Sequence, residues 1–170
     1  MFTPNHLSIL GIIHTAISVL AIFAALYGLY LYGRIDPKTI PGKSYIWLTV
    51  LTCLTGLPIM RFGHPTAGHY LSIILFILLP IGVYASRIRF LGKLGEYIQV
   101  IVMSATLFLS FIPAVVETST RLPISHPIAD GPNDPLIQKA LTALMVIYVI
   151  GVIYQIIKLR ASRKAAVIAS

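Results

Sequence analysis

LSILGIIHTAISVLAIFAALYGLYLY, residues 7–32, contains no Asp, Glu, Lys or Arg. A helix that crosses a bilayer needs about 20 predominantly apolar residues, so this run reads as a membrane span. The rest of the chain has the same character. It has 170 residues, is 57% hydrophobic and only 11% charged, with a mean hydropathy of +0.88. A soluble domain of this size carries about 25% charged residues. This chain lacks the charge to cover a water-facing surface, and the solvent that suits it is lipid.

Working outward from residues 7–32, four more apolar runs follow, at about 45–60, 67–85, 97–116 and 136–157. The expected fold is therefore all-α: an integral membrane bundle of five transmembrane helices in one domain, residues 1–170. The connections are charged or rich in Pro and Gly. GRIDPKTIPGK (33–43), RFGHP (61–65), SRIRFLGKLGE (86–96) and the long segment 117–135 separate the spans. Pro58, Pro80 and Pro113 fall inside spans and predict kinks. Met1 to Asn5 has no basic residue, and the apolar run after it is too long for a signal-peptide core, so no removable signal peptide is expected.

Lys and Arg set the orientation. Arg34, Lys38, Lys43, Arg87, Arg89, Lys93, Lys158, Arg160, Arg163 and Lys164 lie at one set of helix ends, and only Arg61, Arg121 and Lys139 at the other. The first side should be cytoplasmic, which puts the N-terminus outside and the C-terminus inside. The expected location is a bacterial inner membrane. The net charge of +8 then reflects topology and anionic-lipid contact, with no nucleic acid implied. The single cysteine, Cys53, excludes an internal disulfide and a CxxC motif.

All five histidines, His6, His14, His64, His69 and His126, fall on the outer side. Histidine at membrane depth is costly and usually has a task. His14 sits about 10 Å into the first span at 1.5 Å per residue. Steps of three or four from it reach Ser18, Ala21, Ala25, Gly28 and Tyr32, a stripe of small residues that lets helices pack closely. His14 therefore faces the bundle. His69 opens the third span. Imidazoles from two helices on one side are what a bis-histidine heme b requires, with Arg61 or Arg121 balancing charge and a quinone or redox protein as partner. His14, His69 and Glu117 together would suit zinc or copper instead. Glu117 and Arg121 are four apart and form an i,i+4 pair if the fourth helix reaches them.

Three functions remain open, and whether the chain is an enzyme stays undecided. One is an outer-facing heme or metal site in electron transfer. Another is a transporter, channel or small-ligand binder with His14 and Glu117 as protonatable groups. The last is a non-catalytic subunit or assembly factor with no cofactor, working as a homo-oligomer or in a larger complex. No P-loop, GxGxxG, HExxH, CxxCH or GxSxG motif is present, and nothing supports a hydrolase or a nucleotide-driven machine.

Two stretches carry a family resemblance. HTAISVLAIFAALYGLYLYGRIDPKTIPGKSYIWLTVLTCLTGLPI (14–59) and ETSTRLPISHP (117–127) cover about a third of the chain. They resemble a broad group of small bacterial multi-span membrane proteins defined as a domain of unknown function. Its members have a His-initiated helix, a basic loop, a Leu/Thr-rich helix and a Glu-Thr-x-Thr-Arg-x-Pro run after a late span. The common pattern has a His-Arg pair in the first inner loop, where this chain offers Lys38 and Lys43. The resemblance implies a membrane bundle, supplies no activity, and points to His14, Glu117 and Arg121.

Overall fold

The computed structural model describes residues 8–59 and 64–168. It is all-α: α1 (Ile9–Tyr32), α2 (Ile40–Gly56), α3 (Ala67–Tyr84), α4 (Leu94–Arg121) and α5 (Pro135–Ile168), with two 3₁₀ turns at Ala85–Arg87 and Arg89–Leu91. Four of these helices, all except α2, are long and apolar enough to cross a membrane. At 17 residues, α2 is about 25 Å long, against a hydrocarbon core of about 30 Å.

Helix boundaries follow local chemistry. Ser8 caps α1, its hydroxyl accepting from the Gly11 N–H at 3.1 Å. Gly33, at φ 68°, closes the same helix in the left-handed region, where glycine has no steric penalty. The second helix begins about a turn earlier than the apolar run suggested. Thr39 caps it by accepting from the Gly42 N–H at 3.2 Å, and Pro41 stands in its first turn, where a missing N–H has no intrahelical partner to lose. It also ends earlier, at Gly56. Pro58 cannot donate to the carbonyl a turn back, so it lies beyond the helix and kinks nothing. Pro80 and Pro113 do lie inside α3 and α4.

Neighbouring helices run antiparallel. Gly28 approaches Pro41 where α1 ends and α2 begins, and His14 meets Thr55 at the opposite end of the pair. Along α4 and α5, Glu96 pairs with Arg163, Ser104 with Gln155, and Phe108 stacks on Tyr148 at 5.2 Å. The packing sequence is α1 on α2, α2 on α3, α3 on α4 and α4 on α5, and α1 also touches α4. The first four helices thus close around a core of Ala21, Ala25, Tyr45, Leu79, Met103 and Leu107. α5 is mounted on α4. The small-residue stripe of α1 is the buried one: Gly11, Ala21, Ala25 and Gly28 face inward. Large apolar side chains cover the outside, as with Phe23 and Ile147, which is the surface a lipid environment matches.

Polar staples join the helices where hydrocarbon leaves no water to do so. The Tyr45 hydroxyl donates to Thr106 Oγ1 at 2.9 Å. Gln155 Nε2 donates to Ser104 Oγ at 3.0 Å. Gln99 Nε2 donates to the Gly82 carbonyl at 2.9 Å, satisfying an acceptor in the last turn of α3 that has no intrahelical donor.

Candidate functional site

His14, His69 and Ser72 are placed around the C-terminal end of α2. α1 delivers His14 from one side, and α3 delivers His69 and Ser72 from the other. Gly56 makes the room. A Cβ there would lie 2.9 Å from His14 Cε1 and 3.7 Å from Ser72 Oγ. A side chain at position 56 would push the imidazole out of its place.

The bonding pattern fixes the proton on each ring. Thr55 Oγ1 lies 2.8 Å from the Leu51 carbonyl and 3.1 Å from that of Thr52. A hydroxyl has one proton, and Thr55 directs it to the backbone of its own helix. His14 Nδ1, 3.2 Å from Thr55 Oγ1, is therefore the donor, and Nε2 holds the lone pair. This tautomer is assigned from the hydrogen-bond network. The Glu117 carboxylate lies close enough to act on this ring through space, and the Thr52 carbonyl lies beside it. The Thr52 hydroxyl is buried without a hydrogen-bond partner.

His69 is bound differently. It stands at N3 of α3, and its Nδ1 accepts from the Thr66 N–H at 3.0 Å. It thereby fills the place of the Glu or Gln of a capping box. A backbone N–H can only donate, so the ring proton is on Nε2, which donates to the Leu57 carbonyl at 3.1 Å. One imidazole thus caps the start of α3 and ties it to the end of α2. It is buried, at 7% exposure.

His14 and His69 lie on either side of the end of α2, His14 against Thr55 and His69 against the Leu57 carbonyl. As an axial or metal ligand, however, His69 does not fit in this arrangement. Ligation needs an open ring nitrogen, and opening either one leaves a backbone group unpaired. His14 has a nitrogen whose lone pair is directed elsewhere than at its Thr55 contact. Among the described residues, no group of three or more His, Cys, Asp or Glu is placed to hold a metal.

α4 runs five residues past the expected end at 116, so Glu117 and Arg121 are helical and do form the i,i+4 ion pair. The Arg121 side chain is the more buried partner, at 23% exposure against 54%. The segment after it is anchored by backbone bonds, from the Ala129 N–H to the Ser119 carbonyl at 3.0 Å and from the Ile128 N–H to the Leu122 carbonyl at 3.2 Å. His126 is exposed in it, and His64 is exposed in the segment before α3. His6 and Arg61 lie outside the described residues.

Sequence reasoning noted Thr49, Thr52 and Thr55 as hydroxyls able to bond the backbone or a neighbouring helix, and passed over Gly56 and the Tyr45–Thr106 pair. The only signal for them was threonines three apart at 49, 52 and 55 together with a glycine at a helix end. No protein-family model, curated protein or solved structure matches this chain. The family resemblance accordingly rests on the quoted residues alone.

Proposed function

We propose that this is a five-span integral membrane protein, N-terminus outside, whose outer half holds a protonatable binding site centred on His14. In this reading α2, at 17 residues, is the short fifth span. The ligand is a small hydrogen-bonding solute or the proton itself. The supporting observation is an imidazole set against the end of α2, beside the carbonyl of a residue whose buried hydroxyl has no hydrogen-bond partner. A buried polar group without a partner costs about 1–3 kcal/mol and in native proteins commonly marks a water or ligand position. Thr52 Oγ1 is such a group, on the residue whose carbonyl lies beside His14. Farther in, Gln99, Ser104, Thr106 and Gln155 are bonded to protein partners, which supports a site open to the outside only. The heme b reading would need His69 to release one of its two backbone partners. Zinc or copper at His14, His69 and Glu117 meets the same obstacle.

Diethyl pyrocarbonate, which acylates neutral imidazole at a free nitrogen, tests the reading. Applied to intact cells, it should modify His14 and spare His69. An unreactive His14, in cells where exposed His126 reacts, would overturn it. A Soret band lost in both His14→Ala and His69→Ala would restore the heme assignment.

A subunit role is the second reading. It is favoured by α5, which packs chiefly on α4 and leaves Val146, Ile147 and Ile150 exposed. Co-purification in a complex larger than one chain would support it.

A further inference from the structure

At the end of the molecule that carries ten of the thirteen Lys and Arg residues, a cavity of about 240 Å³ opens between the end of α1 and the last turns of α5. Tyr32, Arg34, Asp36, Gln155, Lys158 and Ser162 line it. We propose that this cavity is a binding site for a phosphate ester, supplied by the headgroup of an anionic phospholipid or by a soluble phosphate. It is separate from the His14 site and does not rest on the reading of that site.

Both cations are held in place before any ligand arrives. Arg34 Nη2 donates to Asp36 Oδ2 at 2.9 Å. The other Asp36 oxygen accepts from the Lys38 N–H at 2.9 Å. Asp36 faces the same cavity, but both its oxygens already have donors, so it acts as a clamp on the guanidinium. A guanidinium has five N–H donors, and its planar fork suits phosphate oxygens.

Lys158 is placed by a glycine. Its ammonium lies over Gly33, where a Cβ would come within 2.6 Å of Nζ. That position puts the positive charge at the C-terminal, negative end of α1. The Ser162 hydroxyl lies one turn farther along α5, on the same face. It already donates to the Lys158 carbonyl at 3.0 Å, and its remaining capacity is as an acceptor. The direct anion-binding groups are therefore Arg34 and Lys158. Basic pockets between spans on the cytoplasmic side are the sort of site that takes acidic headgroups.

The test is native mass spectrometry of the full chain in detergent, titrated with phosphatidylglycerol or phosphatidylcholine. One phosphatidylglycerol per chain should bind in preference to phosphatidylcholine. Arg34→Gln and Lys158→Gln should each weaken it about fivefold. Lys158→Arg should retain binding, which separates loss of charge from loss of fold, and Lys139→Gln at the other end should leave it unchanged. Displacement of the adduct by inorganic phosphate would identify a soluble phosphate as the source, and its persistence would identify the lipid. Equal binding of the two lipids without phosphate binding, or full binding in both glutamine variants, would overturn the proposal.

Discussion

Replacing His69 with alanine would strip the Thr66 N–H and the Leu57 carbonyl of their shared partner. Each buried orphan costs about 1–3 kcal/mol, so His69→Ala should lower unfolding stability in detergent by about that much, with no loss of any bound group. His69→Gln should recover part of it, because Gln at N3 can accept from the N-cap N–H. A fully stable His69→Ala protein would show that the imidazole is not structural. The sequence drew attention to both histidines, because imidazoles at helix ends of a charge-poor chain stand out. Their different roles were not. The role depends on which backbone groups the fold brings to each ring, and residue type and depth do not encode that.

At the scale of the helices, α1 was the most legible element. Its small-residue stripe predicted the face that packs, and Ala25, on that face, has 0% exposure. Ala25→Leu should therefore push α1 off the core at a cost of about 1–3 kcal/mol, read as an earlier unfolding midpoint in detergent. An unchanged midpoint would mean that the α1 face is loosely packed. Helix ends were less legible. α2 starts a turn early because Thr39 and Pro41 form its start, although Pro and Gly there resembled a loop. α4 continues through ETSTR because its Glu117–Arg121 pair and the back-bonded Thr120 hydroxyl, 2.8 Å from the Val116 carbonyl, both suit a helix. Hydropathy alone ends that helix where the charge begins.

For the molecule as a whole, bundle and membrane character followed from composition, because 11% charged residues cannot solvate a chain of this length. The proposed orientation rests on the Lys and Arg asymmetry, and labelling tests it. In a Cys53→Ala background, Asp130→Cys should react with a membrane-impermeant maleimide on intact cells, and Lys93→Cys only after permeabilisation. The reverse pattern would invert the topology and move the His14 site to the cytoplasm. The two histidines are assigned opposite protons, His69 as a fixed joint and His14 as the available base. Long-range proton–nitrogen NMR of the histidine-labelled protein in detergent near pH 8, assigned with His14→Gln and His69→Gln, tests this most directly. The account predicts the Nδ1–H tautomer at His14 and the Nε2–H tautomer at His69. The same tautomer at both, or Nδ1–H at His69, would contradict it.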